Sequence, residues 1–337
     1  MTEQEKQIRL TSAEIAPLWA QYMNDSASAC ILSYFLEKAE DQEIKPVIEH
    51  GLELTKSHIQ KTTSFFTDEK YAIPQGFKIE EDVVLTAPRL YSDSIVLQFI
   101  YQMARGGLTT YSAAVSLAVR ADLTEYFIEC LSETMQLYKM SKDLLLSKGL
   151  FNRSPYLPNM TEVELVKKQE FMWDIIRDKR PLNAPEIANL YADYQRNAQG
   201  SAILTGFAQV AQAKEVKKYF IRGIEIAQKQ LKLFGGKLEE SKLPVPTTWT
   251  SEVTESTANT FSDKLMMFFT TTLTSLSIGY YGIGIATSPR IDLGVLYNRL
   301  SAEVQLFAED GANIMIKNKW LEQPPMASDR DDLISKK

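Results

Sequence analysis

Histidine is almost missing from this 337-residue chain, which contains only His50 and His58. A carboxylate-bridged dimetal site in a four-helix bundle needs a Glu-x-x-His motif on each of two helices. Neither histidine has an acidic residue three positions before it. A Ser-His-Asp relay would also need one of these two residues, and no strand-turn-helix elbow is visible to present a serine. The shortage of histidine therefore argues against both chemistries.

Cysteine is equally scarce, since Cys30 and Cys130 are the only two in the chain. They fall on predicted helices and show no Cys-x-x-Cys spacing, which argues against a disulfide framework or a zinc ribbon. Cys30 aligns with Ala202 and Cys130 with Leu300 in the internal repeat described below. We therefore expect two reduced thiols in the apolar core.

The chain also lacks a surplus of positive charge, because 37 Lys and Arg residues face 43 Asp and Glu residues and the net charge is -6. This balance argues against nucleic acid as a partner. The N-terminus is polar and lacks the apolar run of a secretory signal. We therefore expect a cytoplasmic protein.

What the chain does contain is an internal duplication. Residues 10–22 align with residues 182–194 at a shift of 172, and Tyr91-Ser-Asp93 aligns with Phe261-Ser-Asp263 at a shift of 170. A drift of two positions over a whole domain indicates duplication. We predict a first domain at 1–155, a linker at 156–181 and a second domain at 182–337, and we expect each copy to hold its own core and to fold alone.

Each copy has the periodicity of four helices, named A to D. Capping-box spacings at Thr11 and Glu14, and again at Asn183 and Glu186, predict that helix A begins at about 12 and 184. Pro88 is expected to open helix C of the first copy. The candidate N-caps of helix D are two aspartates, Asp122 and Asp292.

Loop lengths predict the connectivity of each copy. The A–B and C–D links are short, which makes those pairs antiparallel neighbours. About twenty residues with many prolines and glycines separate B from C, enough for the chain to return along the bundle so that B and C point the same way. The predicted fold is therefore all-α, with two tandem ferritin-like four-helix bundles, each with a long B–C crossover. Residues 161–169 of the linker fit either a short helix or an extended strap.

Four segments carry a family resemblance, namely Phe151-Asn-Arg-Ser-Pro-Tyr-Leu-Pro158, Val166-Lys-Lys-Gln169, Lys179-Arg-Pro-Leu182 and Arg196-Asn-Ala-Gln-Gly200. They resemble the linker and second copy of a duplicated ferritin-like family of unknown function from spore-forming Bacillus-type bacteria. That family is remotely similar to spore coat protein F. The resemblance implies association with the spore coat, and it supplies no catalytic residues.

Weaker acid-base or metal sites can be drawn from two groups of carboxylates. The first is Glu49 and Glu53 with His50, and the second consists of three residues of helix D, Glu125, Glu129 and Glu133. Spacings of four place such residues on an outer helical face as readily as on an inner one. The histidines align with Arg222 and Gln230, which we interpret as a solvated face. The sequence therefore predicts no catalytic residue, no cofactor and no metal site.

Helix C of the second copy is uncharged from Leu265 to Pro289, long enough to cross a bilayer. Serines, threonines and glycines dilute the run, and its counterpart contains Arg105, so we predict a buried helix and no membrane partner. Gly279, Gly282 and Gly284 lie within six residues, and glycine weakens a helix interior. We therefore expect both C helices to be the most buried of the protein and to pack closely where the copies meet.

These observations favour a non-enzymatic structural or interaction protein that associates with the spore coat, with coat or other proteins as partners. The alternative is a small-molecule or metal-binding bundle, because aromatic residues recur at matched interior positions such as Tyr111 and Tyr281. A catalytic role is the third choice. Nothing in the sequence fixes the oligomeric state.

Overall fold

The computed structural model describes residues 8–167, 169–173 and 180–335, and apart from two isolated β-bridges its regular secondary structure in these ranges is helical. The first copy contains α1 (Ser12–Lys38), α2 (Lys45–Asp68), α3 (Ile79–Asp82), α4 (Asp93–Leu117) and α5 (Ala121–Ser147). A short helix, α6 (Glu170–Trp173), lies in the linker. The second copy contains α7 (Ala184–Val210), α8 (Lys214–Glu240), α9 (Asp263–Thr287) and α10 (Ile291–Lys317), and α11 (Arg330–Ser335) follows near the C-terminus.

The predicted starts of helix A are confirmed in both copies. Thr11 and Asn183 are the N-caps of α1 and α7, and Glu14 and Glu186 complete the two capping boxes. Such boxes satisfy N–H groups that the first helical turn leaves without partners. In this protein the two glutamates also accept hydrogen bonds from backbone N–H groups that precede other helices.

Glu14 ties three helix ends together at one end of the first bundle. Its carboxylate accepts hydrogen bonds from the backbone N–H groups of Val119 and Arg120, at 3.1 and 2.9 Å, just before α5. The guanidinium of Arg120 in turn pairs with Glu69, which directly follows α2. The start of α1, the end of α2 and the start of α5 therefore lie at the same end.

Asp93 and Lys148 define the opposite end of the first bundle. Asp93, the first residue of α4, accepts a 2.9 Å hydrogen bond from the N–H of Asp41, which lies between α1 and α2. Lys148 follows α5 and pairs with the Asp41 carboxylate at 2.7 Å. Helices α2 and α4 therefore both run away from this end, so they are parallel. The crossover between them, residues 69–92, returns along the bundle as predicted.

The second copy repeats these contacts. Glu186 accepts from the N–H of Arg290 before α10 at 3.1 Å, and Asp263 at the start of α9 accepts from Ala213 N–H at 2.8 Å. Lys317 at the end of α10 pairs with Glu215 at 2.6 Å. The architecture of two tandem four-helix bundles with long crossovers is thus confirmed.

The two crossovers pair with each other around a pseudo-twofold axis. The N–H of Val84 donates to Thr260 O at 2.9 Å, and the N–H of Thr254 donates to Leu90 O at 2.9 Å. Because positions 84 and 90 correspond to 254 and 260 in the repeat, these are the same bond made twice. A second such pair joins Ser92 N–H to Glu252 O and Ser262 N–H to Asp82 O, at 3.0 and 2.8 Å.

A continuous apolar core extends from one copy into the other. Aromatic rings meet across the boundary, with centroids 4.9 Å apart for Tyr34 and Phe261 and 5.9 Å apart for Phe99 and Phe269. The hydroxyl of Tyr91 also crosses, donating to Ile203 O at 2.7 Å. The expectation that each copy has a core of its own is therefore wrong, although the first copy keeps a small separate cluster around Phe127.

Three predicted helix starts were placed incorrectly, one of helix C and two of helix D. Helix C begins at Asp93 with Ser92 as its N-cap, whose hydroxyl accepts from Ile95 N–H, and Pro88 lies in the crossover. Helix D is capped by Arg120 and Arg290, and the two aspartates proposed as caps, Asp122 and Asp292, lie in the first turn. There they pair with the guanidinium two residues earlier, at 2.7 and 2.8 Å.

The C helices are not the most buried elements of the protein. More than half of the residues of α1 and α7 are buried, against fewer than half in α4 and α9. The two C helices do approach each other, since a Cβ added at Gly106 would lie 3.5 Å from Leu276 Cδ1. Only Gly284 of the α9 glycines needs its lack of a side chain, because Tyr297 would lie 2.7 Å from an added Cβ. Gly279 and Gly282 face open space, contrary to expectation.

The short-helix alternative does not hold for residues 161–167 of the linker. Residues 163–167 have no regular secondary structure and are exposed, and α6 spans four residues only. Residue 168 and residues 174–179 lie outside the described part. Among the described residues, no helix combines the length and apolar character needed to span a membrane.

We expect Glu186→Gln to destabilise the protein at neutral pH by about 2–3 kcal/mol, because this buried carboxylate accepts charge-assisted hydrogen bonds. Burial alone would raise the pKa of Glu186, but hydrogen bonds from Arg180, Asn183 and Arg290 lower it below its usual value. The resulting stabilisation is fully present above the pKa of an unfolded glutamate, about 4.3, and is lost as the pH falls through the lower folded pKa.

Urea unfolding of the parent and variant between neutral pH and pH 3 tests this expectation. The difference in unfolding free energy should shrink below about pH 4.3. Glu225→Gln, at an exposed position of α8, is the matched control and should change stability by less than about 0.5 kcal/mol. A Glu186→Gln variant as stable as this control would contradict the role assigned to the carboxylate.

Candidate functional site

The most unusual interior feature is a polar cluster around His58 in the first copy. On α2, Gly51, Thr55, His58 and Thr62 recur at helical spacing, and all four are buried. They form one stripe that faces the bundle interior. His58 is only 4% exposed, so the prediction that the histidine positions form a solvated face is wrong for this residue.

Two carboxylates hold the imidazole of His58 from opposite sides. Asp25 of α1 places Oδ2 3.2 Å from Nδ1, and Glu133 of α5 places Oε2 3.0 Å from Nε2. Asp25 is buried and Glu133 is half-buried. Three of the four helices of the bundle thus meet at this one ring.

A hydroxyl, an amide and a thiol complete the cluster. The Tyr111 hydroxyl of α4 lies 3.3 Å from His58 Nδ1. The amide of Gln21 donates to that hydroxyl at 3.2 Å and to Cys130 Sγ at 3.5 Å. Every long helix of the first copy therefore contributes a polar group to the cluster.

The electrostatics favour a protonated imidazole in this arrangement. Burial alone would lower the pKa of His58, but hydrogen bonds with Asp25 and Cys130 raise it to about 11. Burial raises the pKa of Asp25 above its usual value, and it raises that of Tyr111 well above the usual value. The raised pKa of His58 favours a protonated ring, which faces Asp25 at one nitrogen and Glu133 at the other.

Several buried polar atoms of the cluster have no hydrogen-bond partner among the described residues. Asp25 Oδ2 lies within ion-pair distance of His58 but accepts no hydrogen bond, and Gln21 Oε1 and the Tyr126 hydroxyl are also unpartnered. An unsatisfied buried acceptor costs free energy. The cluster therefore contains more buried polar atoms than its own hydrogen bonds satisfy.

One subset of the cluster has the composition of a metal site. A ring nitrogen of His58, Cys130 Sγ and a Glu133 carboxylate oxygen all lie within 4.8 Å of one another. Imidazole, thiolate and carboxylate are the ligands that zinc takes in proteins. Helix α4 adds no carboxylate beyond Asp93, so the carboxylate set of a classical dimetal site is absent from this copy.

The second copy keeps the place of this cluster with different chemistry. The positions of His58, Asp25 and Cys130 hold Gln230, Asn197 and Leu300. The Tyr281 hydroxyl, equivalent to Tyr111, donates to Gln230 Oε1 at 2.5 Å and accepts from Asn197 at 3.0 Å. The cluster of the first copy has therefore been replaced by a neutral hydrogen-bond chain.

The second interior also contains a buried ion pair. Asp193, at the position of Gln21, is buried and pairs with Arg196 at 2.6 Å. The guanidinium of Arg196 lies over the Tyr280 ring, 3.7 Å from its centroid. Asp25 in the first copy and Asp193 in the second are therefore buried acidic residues of the first long helix, and in the aligned repeats their positions are one helical turn apart.

A cavity of about 340 Å³ links the two interiors. Its walls come from matched positions of the two copies, because Phe99, Met103 and His58 line one part and their counterparts Phe269, Leu273 and Gln230 line the other. The volume falls at the lower end of the range typical of small-molecule sites. The cavity is therefore a pseudo-symmetric space between the copies, with the His58 cluster on one wall.

The carboxylates considered from the sequence mostly face solvent. Glu49, Glu53, Glu125 and Glu129 are exposed, which agrees with the interpretation of an outer helical face. Glu133 is the exception, since it reaches His58. The expectation that the cysteines are buried is confirmed, and neither Cys30 nor Cys130 forms a disulfide among the described residues.

Comparison with solved structures finds a crystal structure of a putative spore coat protein from Bacillus halodurans C-125. The two chains are 14% identical with a TM-score of 0.40, and the match covers 46% of this chain and 99% of that one. No protein with curated annotation matches the chain.

A family match covers almost the whole sequence and reproduces the duplication. One repeat of the family aligns with residues 1–163 and another with residues 170–333. These ranges contain the two bundles described above, one in each repeat. The chain belongs to the family described as protein of unknown function DUF3231, of which it contains two copies.

Proposed function

We propose that this protein binds a small, mainly apolar molecule in the cavity between its two copies. The cavity itself is the observation that carries the proposal, because a space of about 340 Å³ lined by side chains of both copies is large enough to hold a small ligand. This is the small-molecule alternative raised by the sequence, with the cavity as its site.

The chemistry of the walls indicates the class of ligand. Phe99, Met103, Phe269 and Leu273 supply apolar surface from both C helices. Arg196, on the wall contributed by the second copy, brings a positive charge that Asp193 partly balances. The walls therefore suit an apolar body with one polar or anionic group, as ligand pockets commonly combine an apolar lining with a few placed polar groups.

We propose binding and not catalysis as the role of the site. His58 is the one histidine on the cavity wall, and both of its ring nitrogens face carboxylates at 3.0 and 3.2 Å. A general base needs a free nitrogen within reach of the proton that it removes. In this arrangement both nitrogens face protein side chains, and neither faces a molecule bound in the cavity.

A second role is favoured by the exposed linker, which presents apolar side chains to solvent. Val163 is 92% exposed, Leu165 78% and Val166 63%. Clustered exposed apolar residues commonly mark contact sites for other proteins. We therefore also propose a structural or interaction role, in which the protein associates with coat proteins of the spore, as the family resemblance implies.

Replacing Gly200 by leucine tests the cavity. Gly200 lines the cavity and a Cβ added there meets no atom within 4 Å, so the new side chain can extend into the empty space. Leucine also favours a helix more than glycine does, so α7 should not be weakened. We expect native mass spectrometry to show a small molecule retained by the parent protein and to show its loss in Gly200→Leu.

The control is Gly279→Leu, which makes the same exchange in a helix, at an exposed position that also has open space but lies outside the cavity. This variant should retain the molecule. If the parent carries none, titration with 1-anilinonaphthalene-8-sulfonate provides the readout, with enhanced emission expected for parent and control only. Equal binding by all three proteins, or none by any, would refute the cavity as a ligand site.

Replacing Val163, Leu165 and Val166 together by serine tests the interaction role. These side chains make no contribution to the core, so the thermal unfolding temperature should not change. In sporulating cells we expect the parent protein to fractionate with the spore coat and the triple variant to remain in the cell extract. Parent protein absent from the coat fraction would contradict this second role.

A further inference from the structure

We propose that His58, Cys130 and Glu133 form a site for one divalent zinc-class ion in the first copy. The three ligand atoms come from two facing helices, α2 and α5, and lie within 4.8 Å of one another. The proposal goes beyond ligand binding in the cavity and does not depend on it. It also departs from the expectation of no metal site, which rested on the pattern of a dimetal centre.

The direction of each contact separates the ligands from their support. Glu133 approaches His58 at Nε2, whereas Asp25 approaches at Nδ1, on the other side of the ring. Metal-binding histidines commonly use one nitrogen for the ion and donate the other N–H to a carboxylate, which fixes the orientation of the ring. Asp25 is therefore placed as the positioning residue, with His58 Nε2 as the ligand.

Asp25 is buried beside the nitrogen of His58 that faces away from Glu133, where a supporting carboxylate would lie. The residue is only 8% exposed, and its Oδ2 accepts no hydrogen bond although it lies 3.2 Å from His58 Nδ1. With an ion on Nε2, the remaining proton of a neutral imidazole must sit on Nδ1. That proton lies on the side of the Asp25 carboxylate, as the positioning role of Asp25 requires.

Ligand composition identifies the class of ion. One imidazole nitrogen, one thiolate and one carboxylate suit zinc, with cobalt(II) and iron(II) as chemically related ions, and they suit magnesium or calcium poorly. Three protein ligands leave one position of a tetrahedral ion for water or another small ligand. Binding releases one proton from the Cys130 thiol and one from the imidazolium Nε2, both to solvent.

The second copy shows that the same fold tolerates the loss of this site. There Gln230 and Leu300 replace the histidine and the cysteine, whereas Glu303 remains at the position of Glu133. A glutamine and a leucine thus occupy these places in a packed interior, where Gln230 is 1% and Leu300 0% exposed. The repeat therefore provides substitutions for the first copy that remove ligands and fit the fold.

Zinc and cobalt binding to the full-length protein test the proposal. Metal-free protein prepared with a reducing agent should take up one Zn²⁺ per chain, measured by elemental analysis after gel filtration. With Co²⁺ as the probe we expect a thiolate-to-cobalt charge-transfer band in the near ultraviolet, a readout that a structural role of the cluster would not produce. His58→Gln and Cys130→Leu should each remove both signals.

The other cysteine supplies the matched control. Cys30→Ala, which introduces the residue found at that position of the second copy, should bind zinc and show the cobalt band like the parent. Asp25→Asn introduces the residue found at Asn197, and it should weaken zinc binding by about 10–100-fold while the band remains. Circular dichroism establishes that each variant is folded.

Two results would overturn the proposal. One is a parent protein that takes up no Zn²⁺ and shows no cobalt charge-transfer band. The other is a folded Cys130→Leu variant that still binds one ion with the affinity of the parent. Because these readouts follow the ion alone, they can fail while the cavity still binds an apolar molecule, and the reverse also holds.

Discussion

The structure depends on the close packing of the two copies around a pseudo-twofold axis. The crossovers meet in antiparallel fashion there, and their equivalent residues exchange the same backbone hydrogen bonds in both directions. Such self-complementary contacts are typical of twofold homodimers, and here they occur within one chain. The continuous apolar core, the Tyr91 hydrogen bond to the second copy and the cavity between the copies all follow from this arrangement.

Duplication within one chain also allows the copies to differ, which identical subunits of a homodimer cannot do. One end contact is common to both copies, because Glu14 and Glu186 accept a hydrogen bond from the backbone N–H of the equivalent arginines, Arg120 and Arg290. The interior polar groups have diverged instead. The first copy holds an imidazole between carboxylates, and the second holds a neutral chain of Gln230, Tyr281 and Asn197. The two copies therefore share contacts at the bundle ends and differ in their interior polar groups. Specialisation of one copy for binding would produce this pattern.

Local sequence rules were sufficient for the helices and their connectivity. Capping-box spacing predicted where α1 and α7 begin. The length of the crossover predicted that the second and third long helices of each copy are parallel. The glycines of α9 show the limit of such rules, because three similar positions differ in which face of the helix they occupy. The start of helix C was misplaced for a related reason. Pro88 suits the first turn of a helix and Ser92 suits the N-cap, so the sequence offers two starts, and the structure uses the one after Ser92.

The interior cluster could have been found in part. His58 lies seven residues after Gly51 on the same buried stripe of α2, a spacing that predicts an inward side chain. His58 aligns with Gln230, and two polar residues at matched positions fit a solvent-exposed face. Matched polar residues can equally indicate a buried hydrogen-bond network, which is what both copies contain. The partners of His58 are distant in sequence: Asp25 lies 33 residues before it and Glu133 lies 75 residues after it. Only the tertiary structure brings them together.

Differential scanning calorimetry of the full-length protein tests the shared core most directly. One continuous core predicts a single cooperative transition whose calorimetric enthalpy equals the van't Hoff enthalpy. For a chain of this size that enthalpy is about 230 kcal/mol near 60 °C. Two separate transitions, each with about half of this enthalpy, would mean that the copies unfold independently and would contradict the account.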